Sequence, residues 1–189
     1  MPAPLRVSPE ELVAAIRRIA EQDGIDAVTM SAVAKAVGMR TPSLYKRAGH
    51  RHDLLRLAAD DAARELVDGL VDVSSPDRDP AKTLEELARA LRAFAATAPR
   101  VSALLFAAPS EQAAPSPTAS EPLLRILMTA VSAAVPGDPL PAARTLTAWI
   151  FGFSTMEQAG AFRLGGDVDE AFEFGLDALL RAIGARRSH

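Results

Sequence analysis

The sequence predicts an all-α fold, with a three-helix N-terminal head and a larger helical body behind it. Apolar residues return every third or fourth position in nearly every segment, which is the period of a helix with one buried face. Helix-start signals recur as well, among them Ser8 with Glu11, Thr29, and Asp167 with Glu170. From Ala81 onward only helical periodicity is found, and none of it reads as a strand. At 189 residues the chain can hold one small head and one larger core.

The first helix opens on Ser8 and Glu11 as a capping box, with Pro9 in its first turn, and runs to about Gln22. Leu12, Ile16 and Ile19 line its buried side, and Gly24 ends it. A second helix is predicted from Met30 to Val37, with Thr29 as N-cap and with Val33, Ala34 and Val37 on one inward face. Gly38 breaks it. Thr41 followed by Pro42 restarts the chain as a third helix, the threonine capping and the proline set for the first helical position. In that short helix only Leu44 must point inward. Arg40, Thr41, Ser43, Lys46 and Arg47 remain on or near the outer face, and all can donate hydrogen bonds to base edges or phosphates. A long helix follows, with Leu55, Ala58, Ala62, Leu66 and Leu70 recurring until the turn-forming Ser75-Pro76. Two short helices joined by a glycine turn are the layout of a helix-turn-helix. The division expected is a head over residues 1–57, a linking helix over 53–74, and a body over 75–189.

Charge points the same way. Between Thr29 and Arg56 stand Lys35, Arg40, Lys46, Arg47, Arg51 and Arg56 against Asp53, so six minus one gives plus five, while the whole chain is minus three. The remainder is therefore minus eight. An acidic protein that gathers positive charge into one small segment has an electrostatic footprint for phosphate. The competing reading is a solvated, charge-balanced helix pair in a helical interaction module that does not bind DNA. Tyr45 likewise has two readings, a phosphate contact or a ring half-buried against Leu12 or Leu55.

The segment from Ser8 to Leu57 resembles the DNA-binding domain of the tetracycline-repressor (TetR) family of bacterial transcription regulators. The glycine turn at Gly38, Ser43, Leu44-Tyr45, the basic pair Lys46 and Arg47, Arg51, and Asp53-Leu54-Leu55 fall in that family's order. The resemblance implies that Tyr45 and Arg51 hold phosphates while Arg40, Thr41, Ser43 and Lys46 face the major groove. Thr29, Arg40, Thr41, Ser43, Tyr45, Lys46, Arg47 and Arg51 are thus the candidate DNA-binding residues. Arg47 stands where the family usually has histidine, and Ala48 where it usually has a bulky apolar residue.

In the body, Leu84, Leu87, Leu91 and Phe94 form one stripe, Val101, Leu104 and Leu105 a short second, and Leu123, Leu124, Leu127, Val131 and Ala134 a third. Pro109 to Pro122 is rich in proline, serine and alanine and is expected to be a mobile surface loop. A helix beginning near Pro141 puts Trp149, Phe153, Met156 and Gly160 on one side, with Gly152, Ala159 and Ala161 allowing close approach. The last helix opens at Asp167 and carries the seam Phe172, Leu176, Leu179, Leu180 and Ile183. Both helices can be consumed by the chain's own core, or they can pack against their copies as a four-helix bundle. On the second reading the dimer interface contains Gly152, Ala159, Phe172, Leu176, Leu179 and Ile183.

Ala148 to Leu180 also resembles the effector-domain subgroup of that family marked by a tryptophan, histidine and glycine cluster, with Phe151 in the histidine place. The resemblance implies a ligand-binding and dimerisation domain, a palindromic duplex operator as partner, and release by a small-molecule effector. Leu91, Phe94, Phe106, Met128, Trp149, Phe153 and Met156 are candidates to line its pocket, for an apolar or aromatic ligand. Glu157, Gln158 and Arg144 are candidate polar handles.

Other classes fare worse. Cysteine is absent, which removes disulfides, thiolate metal sites and cysteine catalysis. Of three histidines, His50 and His52 lie beside the helix-turn-helix and His189 ends the chain, leaving none in the body for a base or a metal. No cofactor or metal is expected, and Gly165-Gly166 reads as a helix stop rather than a phosphate loop. No apolar run approaches a membrane span and no signal-peptide core is seen, so a cytoplasmic protein is expected.

Overall fold

A computed structural model describes residues 7–70 and 79–185, and among them it contains nine α-helices and no strand. These residues fall into two compact units, one built from the chain up to Arg64 with Arg100–Ser120, the other from Glu65–Pro99 with the chain from Glu121. The expected division at residue 75 follows sequence order, whereas Arg100–Ser120 packs with the N-terminal unit. The Ser75-Pro76 turn, residues 71–74 of the expected linking helix, and His189 lie outside the described residues.

In the first unit, α1 (Pro9–Asp23) opens on the full capping box, with the Ser8 amide donating to Glu11 Oε2 at 2.7 Å and the Glu11 amide to Ser8 Oγ at 3.1 Å. Leu12, Ala15, Ile16, Ile19 and Ala20 are buried along one face. Gly24 ends the helix at φ +98°, left-handed backbone that favours glycine. A single turn of tighter helix at Ile25–Ala27 leads into α2 (Met30–Ala36), capped by Thr29 Oγ1, which accepts from the Ala32 amide at 3.1 Å. Val37 falls just outside α2 and is only half-buried. The helix α3 (Thr41–Ala48) has Arg40 at its N-cap with no side-chain cap bond, so Thr41 is the first helical residue rather than the cap expected. Thereafter α4 (Arg51–Leu70) buries Leu54, Leu55, Ala58, Ala59, Ala62 and Ala63.

Two carboxylates hold the returning segment. Glu21 on α1 accepts the amides of Arg100 and Val101, at 3.2 and 2.7 Å, at the start of α6 (Pro99–Phe106). Asp60 on α4 accepts the Ser116 amide at 2.6 Å and contacts its hydroxyl at 3.1 Å. This corrects the expectation of a loop from Pro109 to Pro122. A turn of tighter helix forms at Glu111–Ala113, and α7 (Pro117–Ala134) begins within the stretch and contains Pro122. Pro117 suits a helix start, where its missing N–H would be unpaired anyway, and Asp60 fixes the residue before it.

In the second unit α5 (Pro80–Thr97) packs on α8 (Pro139–Gln158) and on α9 (Val168–Ala182), and α8 packs on α9. Leu84, Leu87, Leu91 and Phe94 form the buried stripe of α5, as its spacing predicts. Asp79, Asp138 and Asp167 cap the three helices, each accepting from amides of the first turn. Arg92 of α5 joins both neighbours: its Nη2 lies 2.5 Å from Glu157 on α8 and 2.7 Å from Asp169 on α9. The same guanidinium sits 4.6 Å from the centroid of the Phe172 ring. Trp149 stacks on Phe172 at 5.2 Å, and Phe153 meets Phe172 edge-on at 5.2 Å. A Cβ at Gly175 would fall on the Trp149 ring, so this glycine is what lets α8 and α9 close. Gly152, to which the sequence assigned close approach of a neighbour, is exposed, with nothing within 4 Å of where a Cβ would stand. Among the described residues no single helix is long and apolar enough to cross a membrane.

Candidate nucleic-acid interface

The helix-turn-helix pairs α2 with α3 across Gly38, at φ +68°, where the Met39 amide returns to Ala34 O at 2.8 Å. Leu44 (0% exposed) and Ala48 (8%) anchor α3 one turn apart on its inner face. At about 100° per residue Pro42, Ser43 and Lys46 then project from the opposite face, flanked by Tyr45 and Arg47. All five are exposed, Tyr45 by 49%. Arg40 is exposed at the N-terminal end, Thr41 is half-buried, and Lys35 adds an exposed charge from α2. The side chains of Arg40 and Lys46 bond no other described residue.

Three of the expected contact residues have work inside the unit. Thr29 spends its hydroxyl on the α2 cap. Arg47 donates through Nη1 to Val7 O at 2.6 Å while remaining exposed. Arg51 turns inward: Nε donates to Val28 O at 2.8 Å, Nη2 donates to Ile25 O at 2.7 Å, and Nη2 lies 3.3 Å from Asp26 Oδ1. Its guanidinium thus closes the carbonyl end of the turn between α1 and α2, and sequence spacing gave no sign of that.

The joint behind α3 was also missed. Gly49 has φ +68°, and a Cβ there would lie 2.6 Å from Asp53 Oδ2. That carboxylate accepts the His50 amide at 2.8 Å and holds Arg56 at 2.6 Å. The His50 N–H is the main reason the Asp53 carboxyl is held below the usual carboxylate range, partly opposed by desolvation, with His52 and Arg56 adding to the lowering. A Gly followed four residues later by Asp was the legible signal.

The other candidate residues are divided between the units. Phe106 is exposed in the first, whereas Leu91, Phe94, Met128, Trp149, Phe153 and Met156 belong to the second. Leu91 and Phe94 are buried, Met128, Trp149 and Phe153 are half-buried, and Met156 is 49% exposed. Of the residues expected to face a second subunit, Phe172 (0%) and Leu176 (1%) are consumed by their own core. Gly152 and Ala159 are exposed, Leu179 and Ile183 half-buried. Phe174, two positions along, is the one turned out, at 77%.

A short helix anchored from behind, with hydroxyl and cationic groups on its free face and a helical body following, defines the class of helix-turn-helix DNA-binding regulators. Residues 12–58 match the family model of bacterial regulatory proteins of the tetR family, and residues 84–179 match the tetracyclin repressor-like C-terminal domain. The chain belongs to the TetR family of transcriptional regulators.

Solved structures share the fold. BioQ of Mycobacterium smegmatis is 23% identical, with 95% of this chain and 99% of that chain covered at a TM-score of 0.72. BioQ bound to its natural double-stranded DNA operator is 24% identical, covering 96% and 100% at 0.71. A TetR variant from Acinetobacter baumannii AYE in complex with minocycline is 23% identical, covering 97% and 100% at 0.66. No curated protein matches the sequence. The family and these neighbours are regulators rather than enzymes.

Proposed function

We propose that the protein is a dimeric repressor that lays α3 in the major groove of a palindromic operator and leaves it when a small, largely apolar molecule binds the body. The observation that carries this reading is the free face of α3. Ser43 and Lys46 stand opposite the Leu44 and Ala48 anchors, with Arg40, Tyr45 and Arg47 around them, in a segment of net charge plus five. In this assignment Arg40, Ser43 and Lys46 read bases, with Thr41 at the edge. Tyr45 and Arg47 hold phosphates, and Arg51 and Thr29 position the reading helices without touching DNA.

The second copy is assigned to the outer faces of α8 and α9. Ala148 and Gly152 on α8 with Ala159 at its C-cap, and Ala171, Phe174 and Ala178 on α9, leave a small-residue surface with one exposed aromatic. Likeness to one DNA-bound structure and to one minocycline-bound structure supports operator binding and effector release as the pair of activities. An effector regulates only through unequal affinity for the DNA-competent and released states.

The test is fluorescence anisotropy on a duplex carrying the protein's own promoter, across a series of salt concentrations. Tight, salt-dependent binding at two chains per duplex is expected, with Phe174→Glu yielding single chains by light scattering and weaker binding. Failure to retain any duplex at low salt would overturn the reading.

A further inference from the structure

Four hydroxyl side chains lie on α8, and they divide by face. Thr145 and Thr155 are exposed and each donates to the carbonyl four residues back, Pro141 O and Phe151 O, at 2.8 Å in both cases. Thr147 Oγ1, on a half-buried residue, and Ser154 Oγ, on a residue 3% exposed, are both buried and have no hydrogen-bond partner among the described residues. Seven residues separate these two, so they share a face with the buried Ala143, Leu146 and Ile150. The backbone carbonyls that satisfy Thr145 and Thr155 were open to them by the same local geometry.

A buried hydroxyl without a partner is costly, and native proteins keep few such atoms. Two on one helix face, in the body of a ligand-responsive family, call for a partner that supplies the missing bonds. The charged and amide groups nearby are committed. Glu157 is held by Arg92, and Gln158 Nε2 donates to Ala95 O at 2.6 Å. Arg144 is exposed on another side of the helix. Two of the three polar handles expected from sequence are thus engaged within the protein.

We propose that Thr147 and Ser154 are the polar contacts of the effector site, and that the effector is uncharged and largely apolar. By the helical rise, it carries hydroxyl or carbonyl oxygens roughly 10 Å apart. The assignment rests on the effector reading above. Thr147 and Ser154 confer specificity by leaving unpaired hydroxyls against any ligand that lacks the two oxygens.

Trp149, the chain's single tryptophan, lies on the same helix and reports occupancy by its fluorescence. The probe is a saturated steroid diol with an oxygen at each end, compared with its parent hydrocarbon and its bis-sulfate. A saturable Trp149 response to the diol is expected, with much weaker binding of the other two. Thr147→Val and Ser154→Ala should each weaken diol binding about fivefold, the loss of one neutral hydrogen bond, while Thr145→Val changes nothing.

Without ligand, both inner-face variants should melt at or above the wild-type temperature, since each removes an unpaired hydroxyl. A melting temperature lowered by several degrees in both, no saturable response to the diol, or equal affinity for the hydrocarbon would overturn the proposal. Diol binding that depends on Thr147 and Ser154 but leaves operator affinity unchanged would keep this site and overturn effector release. Operator release by the diol that ignores both substitutions would do the reverse.

Discussion

The two units tie themselves together with different sets of polar side chains. In the N-terminal unit many contacts end on the main chain, Ser8 and Glu11 on each other's amides, Thr29 on the α2 start, Arg51 on two carbonyls and Asp53 on the His50 amide, while Arg17 on α1 pairs with Asp61 on α4 at 2.7 Å. In the C-terminal unit the aspartate caps and Gln158 also end on the main chain, and the ties between helices converge on α5, with Arg89 joined to Glu173 and Arg92 to Glu157 and Asp169. The surfaces left over differ too. The first unit presents cations and hydroxyls on α3, and the second presents Phe174 and small residues on α8 and α9. The first unit keeps polar side chains on a short helix for a partner, and the second keeps an apolar outer face.

The largest expected effect sharpens the contrast within the second unit. Phe172→Ala removes a fully buried ring from the Trp149 and Phe153 cluster and should cost about 3–5 kcal/mol in urea unfolding. Phe174→Ala should stay within about 0.5 kcal/mol for the dissociated chain while lowering the mass seen by light scattering. Equal losses at both positions would break the distinction between core and outer face.

Next is Arg51→Met, which keeps the apolar stem and abandons the carbonyls of Ile25 and Val28. A loss of about 1–3 kcal/mol is expected, with operator binding weakened through misplaced helices. Unchanged stability together with a flatter salt dependence would return Arg51 to the phosphate contacts.

A pH series probes the joint between α3 and α4. The Asp53 carboxyl is held below its ordinary range by the His50 amide, so its contribution is complete above the unfolded-state value and is lost as pH falls through the lowered folded one. Asp53→Asn should therefore flatten the acid limb of thermal stability and leave its alkaline side unaltered. Smallest for the fold is Lys46→Ala, within about 0.5 kcal/mol. Operator binding should weaken by about 1–3 kcal/mol with preference relaxed at the base pair it reads, as measured by anisotropy on single-base operator variants.

What the sequence revealed was local. Ser8 with Glu11, Thr29 with α2, and the inward Leu44 are set by neighbours three or four positions away, so spacing alone finds them. Arg51 acts on carbonyls 23 and 26 residues upstream, and Ser116 is fixed by Asp60 from 56 residues away, which periodicity cannot register. Phe172 and Phe174 both fit an apolar seam. Which of them turns inward depends on where α8 and Arg92 lie. The phosphate role of Arg51 came from family resemblance, and Gly175 went unmarked because it is required only where Trp149 sits opposite it.

Glu21 and Asp60 grip Arg100, Val101 and Ser116 chiefly by their amides, which every amino acid but proline provides. The anchorage is thus indifferent to most replacements at those three positions. Natural variation can accumulate there without redirecting the chain, whereas the two acidic residues that do the holding are poor places for drift.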